Sequence, residues 1–360
     1  MKVIISAGGT GGHIYPALAI LDKIKEKEPN SEFLYIGTHN RMEKDIVPQK
    51  GINFKSLEIY GFNRKNLLSN FKTIKCLFKS YKDAYKIIKE FNPDIVLGVG
   101  GYVTVPVIKA AKKLGIKTFV HEQNSVSGAS NKYLVKYTDL IGVSFKSSMK
   151  DFPKEKVVFT GNPVSENATN AIPANKEKYK LTKNKKLVMF VMGSLGSSTM
   201  NDFLVNSMNK FEGKDYEVLF VTGKNDFDEI NKNNFPKNVI VVPYLEEMAG
   251  LLKRTDLIVS RAGASTLAEI ISLGLPSILI PSPNVTNNHQ YKNALDLEKI
   301  SATTLIEESN LSEELLIKEI DNIIYNDKLI TKIKKNLKTI AVNDSATKIY
   351  DNLKTLIDRT

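Results

Sequence analysis

Val3-Ile4-Ile5-Ser6-Ala7-Gly8-Gly9-Thr10-Gly11-Gly12-His13 is the stretch on which the fold turns. Its apolar half has the length of a buried strand, and its glycines turn the chain into a helix. A strand that ends this way leaves unpaired N–H groups and the positive end of a helix dipole at its carboxyl end, where an anion is stabilised. The arrangement recurs in the second half, where Leu187-Val188-Met189-Phe190-Val191-Met192 runs into Gly193-Ser194-Leu195-Gly196-Ser197-Ser198. One such turn opening each half predicts two α/β domains facing a shared cleft. It also predicts two phosphorylated ligands, or one large one.

Outward from these turns, short apolar runs alternate with helical segments. Strands are expected at Val3–Ser6, Phe33–Ile36, Ile95–Val99, Thr118–His121 and Leu140–Val143, and again at Leu187–Met192, Val218–Thr222, Val239–Val242, Leu257–Ser260 and Ser277–Ile280. Continuous rather than alternating apolar runs mark strands covered on both faces, as in parallel sheets. The reading is therefore two doubly wound units. The division is expected as residues 1–162, residues 163–345, and a helix over 346–360 that packs back on the first domain. A polar, lysine-rich linker is expected near Asn162–Lys180, and Leu311–Ile357 reads as helices.

With 360 residues the chain is too long for one ordinary core. The single cysteine, Cys76, excludes an internal disulfide and fits a reducing compartment. No apolar run reaches the roughly 20 residues that span a bilayer, and no signal pattern opens the chain. The expected location is the cytosol or the cytosolic face of a membrane. A formal charge of +12 asks for an anionic partner, such as nucleic acid, acidic lipid or a phosphorylated substrate, unless it serves only solubility.

The segment Leu67–Phe91 carries Leu67, Phe71, Ile74, Phe78, Tyr81, Tyr85 and Ile88 at helical spacing. Lys72, Lys75, Lys79, Lys82, Lys86 and Lys89 follow one position behind. Two readings stay open. One is a core-packed helix with a solvated flank. The other is a helix docked on an anionic membrane, with Leu68, Cys76 and Leu77 off the core stripe and free to insert.

The first glycine turn is neither a dinucleotide fingerprint nor a triphosphatase loop. Ile14 stands where a third glycine would be needed, and no Gly-Lys-Ser/Thr follows. His13 at the helix start is a candidate general base, with Pro16 expected in the first turn, where proline is tolerated. Gly98-Val99-Gly100-Gly101-Tyr102 is a third glycine turn. His121-Glu122-Gln123-Asn124 closes another strand, at the edge where α/β sheets bind ligands. In the second half, Ser260-Arg261-Ala262-Gly263-Ala264 links strand to helix, with Glu269 about one turn further as a candidate ribose acceptor. Asn287-Asn288-His289-Gln290-Tyr291 groups neutral donors and acceptors suited to sugar hydroxyls. Asp226-Phe227-Asp228 reads as solvated chain, and no Cys/His cluster has metal spacing.

Taken together, Gly-Gly-Thr-Gly-Gly-His, Gly-Gly-Tyr-Val, His-Glu-Gln-Asn, Gly161-Asn162-Pro163-Val164, Ser-Arg-Ala-Gly-Ala and Gln-Tyr-x-Asn-Ala resemble the bacterial peptidoglycan N-acetylglucosaminyltransferases of glycosyltransferase family 28, which make lipid II from lipid I. The resemblance spans nearly the whole chain in order. It implies a GT-B fold of two Rossmann-like domains, acceptor in the first and UDP-N-acetylglucosamine in the second. The implied reaction is inverting transfer to the 4-hydroxyl of the muramyl unit, with no cofactor and no bound metal. His13 is the first candidate for its base and Glu122 the second. On the donor side the resemblance implies Thr10, Gly11, Gly12, Asn124, Ser194, Tyr244, Leu245, Arg261, Glu269, His289 and Gln290. Gly100, Gly101 and Tyr102 fall on the acceptor side. Leu68, Lys72, Lys75, Lys79 and Lys82 fall on a membrane-docking patch suited to a polyprenyl-diphosphate-linked acceptor.

Four departures stand out. Ser165 replaces an arginine usual after Gly-Asn-Pro-Val, whose diphosphate contact would pass to another cation such as Arg261. Met192, Leu195 and Ser197 alter the donor loop, His289 replaces a glutamine, and Val105 replaces a glycine. A diacylglycerol glycolipid synthase remains the rival enzyme. A nucleotide-sugar or nucleic-acid-binding protein is the non-enzymatic rival, although no nucleic-acid module is present and no nucleic-acid partner is expected.

Overall fold

The computed structural model describes residues 1–61, 70–193 and 196–358. The chain forms two compact units: Met1–Val164 with Asp344–Thr360, and Ser165–Asn343.

The first unit holds β1 (Lys2–Ser6), α1 (Gly11–Lys27), β2 (Glu32–Thr38), α2 (Glu43–Gln49), β3 (Asn53–Leu57), α3 (Asn70–Phe91), β4 (Ile95–Gly98), α4 (Thr104–Lys113), β5 (Lys117–Glu122), α5 (Ala129–Leu134), β6 (Leu140–Val143) and β7 (Val157–Phe159). All its strands are parallel, in the order β3-β2-β1-β4-β5-β6-β7. The order reverses between β1 and β4, where Ser6 pairs with Gly98. Both glycine turns of this unit therefore leave the sheet at its topological switch point.

Alternate residues of the central strands serve two buried layers. Val3, Ile5, Tyr35 and Leu97 meet α1 and a return helix, Ser345–Asp358, while Ile4, Leu34, Ile36 and Val96 meet α3 and α4. Ile349 and Leu353 of the return helix are fully buried. At roughly 1.5–3 kcal/mol for each such side chain, that helix is part of this unit's core. Glu28 fastens it further, accepting from the Tyr350 hydroxyl at 3.0 Å and pairing with Lys354 at 3.1 Å.

The second unit holds α6 (Val164–Asn170, beginning on the last residue of the first unit), β8 (Leu187–Val191), α7 (Ser198–Ser207), β9 (Glu217–Val221), α8 (Phe227–Ile230), β10 (Val239–Val242), α9 (Met248–Leu252), β11 (Leu257–Ser260), α10 (Ala264–Leu273), β12 (Ser277–Leu279), α11 (His289–Glu298), β13 (Thr304–Leu305), α12 (Glu313–Ile324) and α13 (Asp327–Lys338). Its parallel sheet runs β10-β9-β8-β11-β12-β13, with the switch point between β8 and β11. β8 leads into the second glycine-containing stretch, at Gly193, and β11 into Arg261–Gly263.

Several expectations are corrected. The polar segment near Asn162–Lys180 is not a free linker, since α6 begins it and Ala168 is buried. Three strands were missed, β3, β7 and β13. Pro16 is the sixth residue of α1 rather than a first-turn residue, so it removes the N–H that would bond the Gly12 carbonyl.

The expected α3 stripe holds at its C-terminal end, where Ile88 is buried and Tyr81 and Tyr85 pack partly against the core, but fails at Phe78. The buried residues of α3 are Thr73, Cys76, Ser80, Ala84 and Ile88, and Phe78 is 69% exposed. Small side chains face inward because α4 packs closely there. Cys76 is therefore not available to insert elsewhere, and Leu77 packs partly against the core. Lys75, Lys79 and Lys82 are exposed on the turns next to Phe78, and Lys86 and Lys89 are exposed further along the helix. Leu67 and Leu68 lie outside the described residues, as do the side chains of Phe71, Lys72 and Ile74.

Candidate active site

In the first unit the two glycine turns interlock. The Gly8 N–H donates to the Gly100 carbonyl at 3.2 Å. Gly101 sits at φ 89°, and a Cβ there would lie 2.5 Å from the Gly8 oxygen, so only glycine permits this approach. A Cβ on Gly100 would strike the His13 ring. His13, half-buried as the third residue of α1, thus lies across the second turn. Its Nδ1 is 3.0 Å from the Gly8 carbonyl. Only an Nδ1–H can satisfy that oxygen, so the lone pair of the neutral ring lies on Nε2. Thr10 is exposed and its hydroxyl is 3.5 Å from the same Nδ1. Tyr102 is half-exposed, with its ring resting on Gly61.

The His-Glu-Gln-Asn run is mostly wiring. His121 Nε2 bonds the Gly161 carbonyl at 3.0 Å, and Gln123 donates to the Val99 carbonyl at 3.0 Å. The Glu122 carboxylate, 2% exposed, accepts from the N–H groups of Asn124 and Gly128 and from the amides of Asn124 and Asn131. Four donors on two oxygens are the wiring of a fixed anion. These three side chains tie the ends of β4, β5 and β7 to the loop before α5. Asn124 is the member of the run that remains half-exposed.

Burial holds the His121 imidazole down to about 4, from an ordinary value of 6.5. The unfolded chain therefore takes up this proton first as pH falls. The contribution is complete above 6.5 and gone near 4, and amounts to roughly 3 kcal/mol. Hydrogen exchange at the β5 amides should quicken between pH 7 and pH 5 beyond the intrinsic trend. Unchanged protection would contradict a neutral His121.

In the second unit, Gly196 sits at φ 78°, and a Cβ would strike the Thr222 carbonyl. Gly196 is thus pressed onto the end of β9. Asn201 donates to that same carbonyl at 2.9 Å and to Asp226 at 2.7 Å, and Asp226 also accepts from Ser198 at 3.0 Å. Asp226 is accordingly bound to the first turn of α7 rather than merely solvated. Ser194 and Leu195 lie outside the described residues.

Arg261 is 8% exposed. It pairs with Glu308 at 2.5 Å, donates to the Ile280 carbonyl at 3.0 Å, and reaches the Ser197 hydroxyl at 3.4 Å. Its charge is matched by Glu308, and its other bonds join Ser197 to the ends of β11 and β12. Ser165 in turn donates to the Val342 carbonyl.

Glu269, the sixth residue of α10, is half-buried and has no hydrogen-bond or ion-pair partner among the described residues. Desolvation pushes its carboxyl up to about 7. Tyr244 is half-exposed with the Lys224 ammonium 5.4 Å from its ring centre, whereas the Leu245 side chain is buried, leaving only its backbone for a ligand. Gln290 accepts from the Ser282 N–H at 2.9 Å, which turns its amide donors outward from that bond. His289 Nδ1 bonds the Thr286 carbonyl. Asn293, quoted in Gln-Tyr-x-Asn-Ala but given no role from sequence, is fully buried and donates to the Ala262 carbonyl at 3.3 Å. The signal was a polar residue on the apolar face of α11.

Two parallel-sheet units, each with a glycine turn and a helix start at its switch point, have the architecture of the GT-B fold. The family models match accordingly: the glycosyltransferase family 28 N-terminal domain over residues 3–143 and its C-terminal domain over residues 187–349. The chain belongs to glycosyltransferase family 28. It is 46% identical, over the full length of both chains, to the Bacillus cereus UDP-N-acetylglucosamine--N-acetylmuramyl-(pentapeptide) pyrophosphoryl-undecaprenol N-acetylglucosamine transferase 1. The enzyme of that name from Bacillus licheniformis is 44% identical over 99% of both. Among solved structures it is similar to Acinetobacter baumannii MurG, with TM-score 0.78 and 26% identity over 98% of this chain and 99% of that one. It shares the fold of the calicheamicin glycosyltransferase CalG4, with TM-score 0.74 at 11% identity over 100% and 98%.

Proposed function

We infer that this enzyme transfers N-acetylglucosamine from UDP-N-acetylglucosamine to the muramyl-pentapeptide pyrophosphoryl-undecaprenol acceptor, lipid I, giving lipid II. The observation that carries the reading is full-length identity of 46% to a transferase of that name. The orientation of His13 supports a mechanism. The muramyl 4-hydroxyl attacks the anomeric carbon as its proton passes to His13 Nε2. The bond to the diphosphate oxygen breaks, and a single displacement inverts the centre. Negative charge gathers on departing UDP, and its stabilisation falls to the N–H groups at the start of α7. Glu269 accepts the ribose hydroxyls, Tyr244 flanks the base, and Gln290 donates to the sugar. Glu122 holds its loop, which leaves the base role to His13.

The test is transfer of labelled N-acetylglucosamine with a short-chain lipid I analogue and diacylglycerol offered in parallel. Labelled lipid II product is expected. Label in diacylglycerol alone would replace this reading with the glycolipid synthase.

The enzyme docks peripherally on the cytoplasmic face of the membrane through the exposed edge of α3. No helix among the described residues is long and apolar enough to cross a membrane. Phe78 supplies an insertable ring, and Lys75, Lys79 and Lys82 surround it, each worth about 1 kcal/mol against anionic lipid. Phe78→Ser should lower partitioning onto phosphatidylglycerol vesicles about tenfold, given roughly 1.5–3 kcal/mol for burying the ring. Partitioning equal to wild type in a flotation assay would remove this face from docking.

A further inference from the structure

We propose that Glu43 is a positioning residue for His13, acting through the single peptide unit that lies between them. The proposal rests on the assignment of His13 as base.

Glu43 opens α2, beyond the carboxyl end of β2, and its side chain is wholly buried. Oε1 accepts from the Thr38 N–H at 2.9 Å and from the Thr38 hydroxyl at 2.6 Å. Oε2 accepts from the Gly9 N–H at 3.2 Å. Among the described residues no cation pairs with it. A buried carboxylate without a counter-ion is costly unless donors surround it, and here all three donors come from the ends of β1 and β2.

The neighbouring glycines are explained by this side chain. Neither Gly8 nor Gly37 has a positive φ, so neither is required by backbone conformation. A Cβ on Gly8 would strike Glu43 Oε1, and a Cβ on Gly37 would lie 2.7 Å from its Cγ. Both positions are bare so that one carboxylate can pass between two strand ends.

The Gly9 N–H and the Gly8 carbonyl belong to one peptide plane. Glu43 holds its N–H end, and His13 Nδ1 bonds its oxygen at 3.0 Å. Hydrogen bonds in series polarise one another, so the carboxylate makes the Gly8 oxygen a stronger acceptor. That in turn holds the ring as the Nδ1–H tautomer and favours the imidazolium formed when Nε2 takes a proton. In hydrolases whose carboxylate touches histidine directly, the same orientation is achieved without the intervening peptide.

The test is E43Q, which keeps the shape, removes the charge and sets an NH₂ against one of the three donors. The full-length enzyme should lose roughly 10–100-fold in kcat, with KM for UDP-N-acetylglucosamine little changed, because only transition-state interaction is weakened. Nitrogen-15 spectra should show the His13 ring as Nδ1–H in wild type and as a tautomer mixture in E43Q. The Gly9 amide proton should move upfield. Wild-type kcat and an unchanged imidazole spectrum in E43Q, beside a crippled His13→Ala, would overturn the proposal alone. Wild-type kcat in His13→Ala would overturn the base assignment and the proposal with it. Should E43Q not fold, Thr38→Val is read instead. It removes the 2.6 Å bond and leaves the charge, with an expected loss of about threefold to tenfold in kcat; wild-type kcat and ring spectrum there overturn the proposal.

Discussion

His13→Ala lowers kcat by about 10²–10⁴, the range for losing a positioned general base, while the affinity of the enzyme for UDP is unchanged. The size of the effect follows from geometry. The ring is clamped on one side by the Gly8 carbonyl and lies against Gly100 on the other, so Nε2 is held in one direction with the lone pair already on it. Alanine leaves water as the base, which must be ordered anew in each turnover. Electrostatic stabilisation of departing UDP survives, so a residual rate above the uncatalysed reaction remains. Single-turnover kinetics on a short-chain acceptor, alongside calorimetric titration with UDP, separate the two terms. An unchanged kcat would take His13 out of the chemistry.

The second large effect belongs to Glu269. Its carboxyl is pushed up to about 7 by burial, with no donor among the described residues to hold the charge. A ribose with two hydroxyls supplies what is missing, since charge-assisted hydrogen bonds contribute about 1.5–3 kcal/mol each. Glu269→Ala should weaken UDP binding by roughly 10–100-fold. Below pH 7 the wild-type carboxyl must lose a proton to bind, so UDP affinity should fall up to tenfold for each pH unit. Above pH 7 it should level off, and Glu269→Gln should abolish the dependence.

Stability carries the opposite sign. A carboxyl whose folded value is raised favours the fold at low pH, and this is lost as pH climbs through 7. Glu269→Gln should therefore stabilise the unliganded enzyme at pH 8 by up to roughly 3 kcal/mol. Calorimetry with and without UDP tests both halves. Pairing of stronger folding with weaker binding is the expected signature of a group kept for its ligand. UDP affinity intact in Glu269→Ala would refute the ribose role.

How far the sequence can be read depends on where each interaction closes. The central strands announce themselves because both faces are covered and the runs are continuously apolar. The missed strands β3, β7 and β13 lie at or near sheet edges, and Asn53, Lys55 and Ser56 in β3 give no such run. Glycine turns were legible as turns. What they press against was not, since contacts such as Gly101 on Gly8 or Gly196 on Thr222 join residues remote in sequence. For His121, Glu122 and Gln123 the internal bonds were not legible, because polarity at a strand end is ambiguous until partners are known. Phe78 misled. A large apolar residue at core spacing faces outward because Thr73, Ser80 and Ala84 let α4 approach more closely than a phenylalanine would. Glu43 had no signal in its local pattern beyond an acid in a helix's first turn.

The return helix has a consequence for how the enzyme is made. The first unit is discontinuous, and the segment that completes its core follows the whole of the second unit in the chain. On the ribosome, the first unit is translated first yet stays unfinished, with the surface awaiting Ile349 and Leu353 still bare. The second unit is contiguous and can close before it. The order of maturation thus inverts the order of synthesis, and a nascent chain stalled before Asp344 would carry a complete second unit beside a sticky, unfinished first one, a natural substrate for chaperones and proteases.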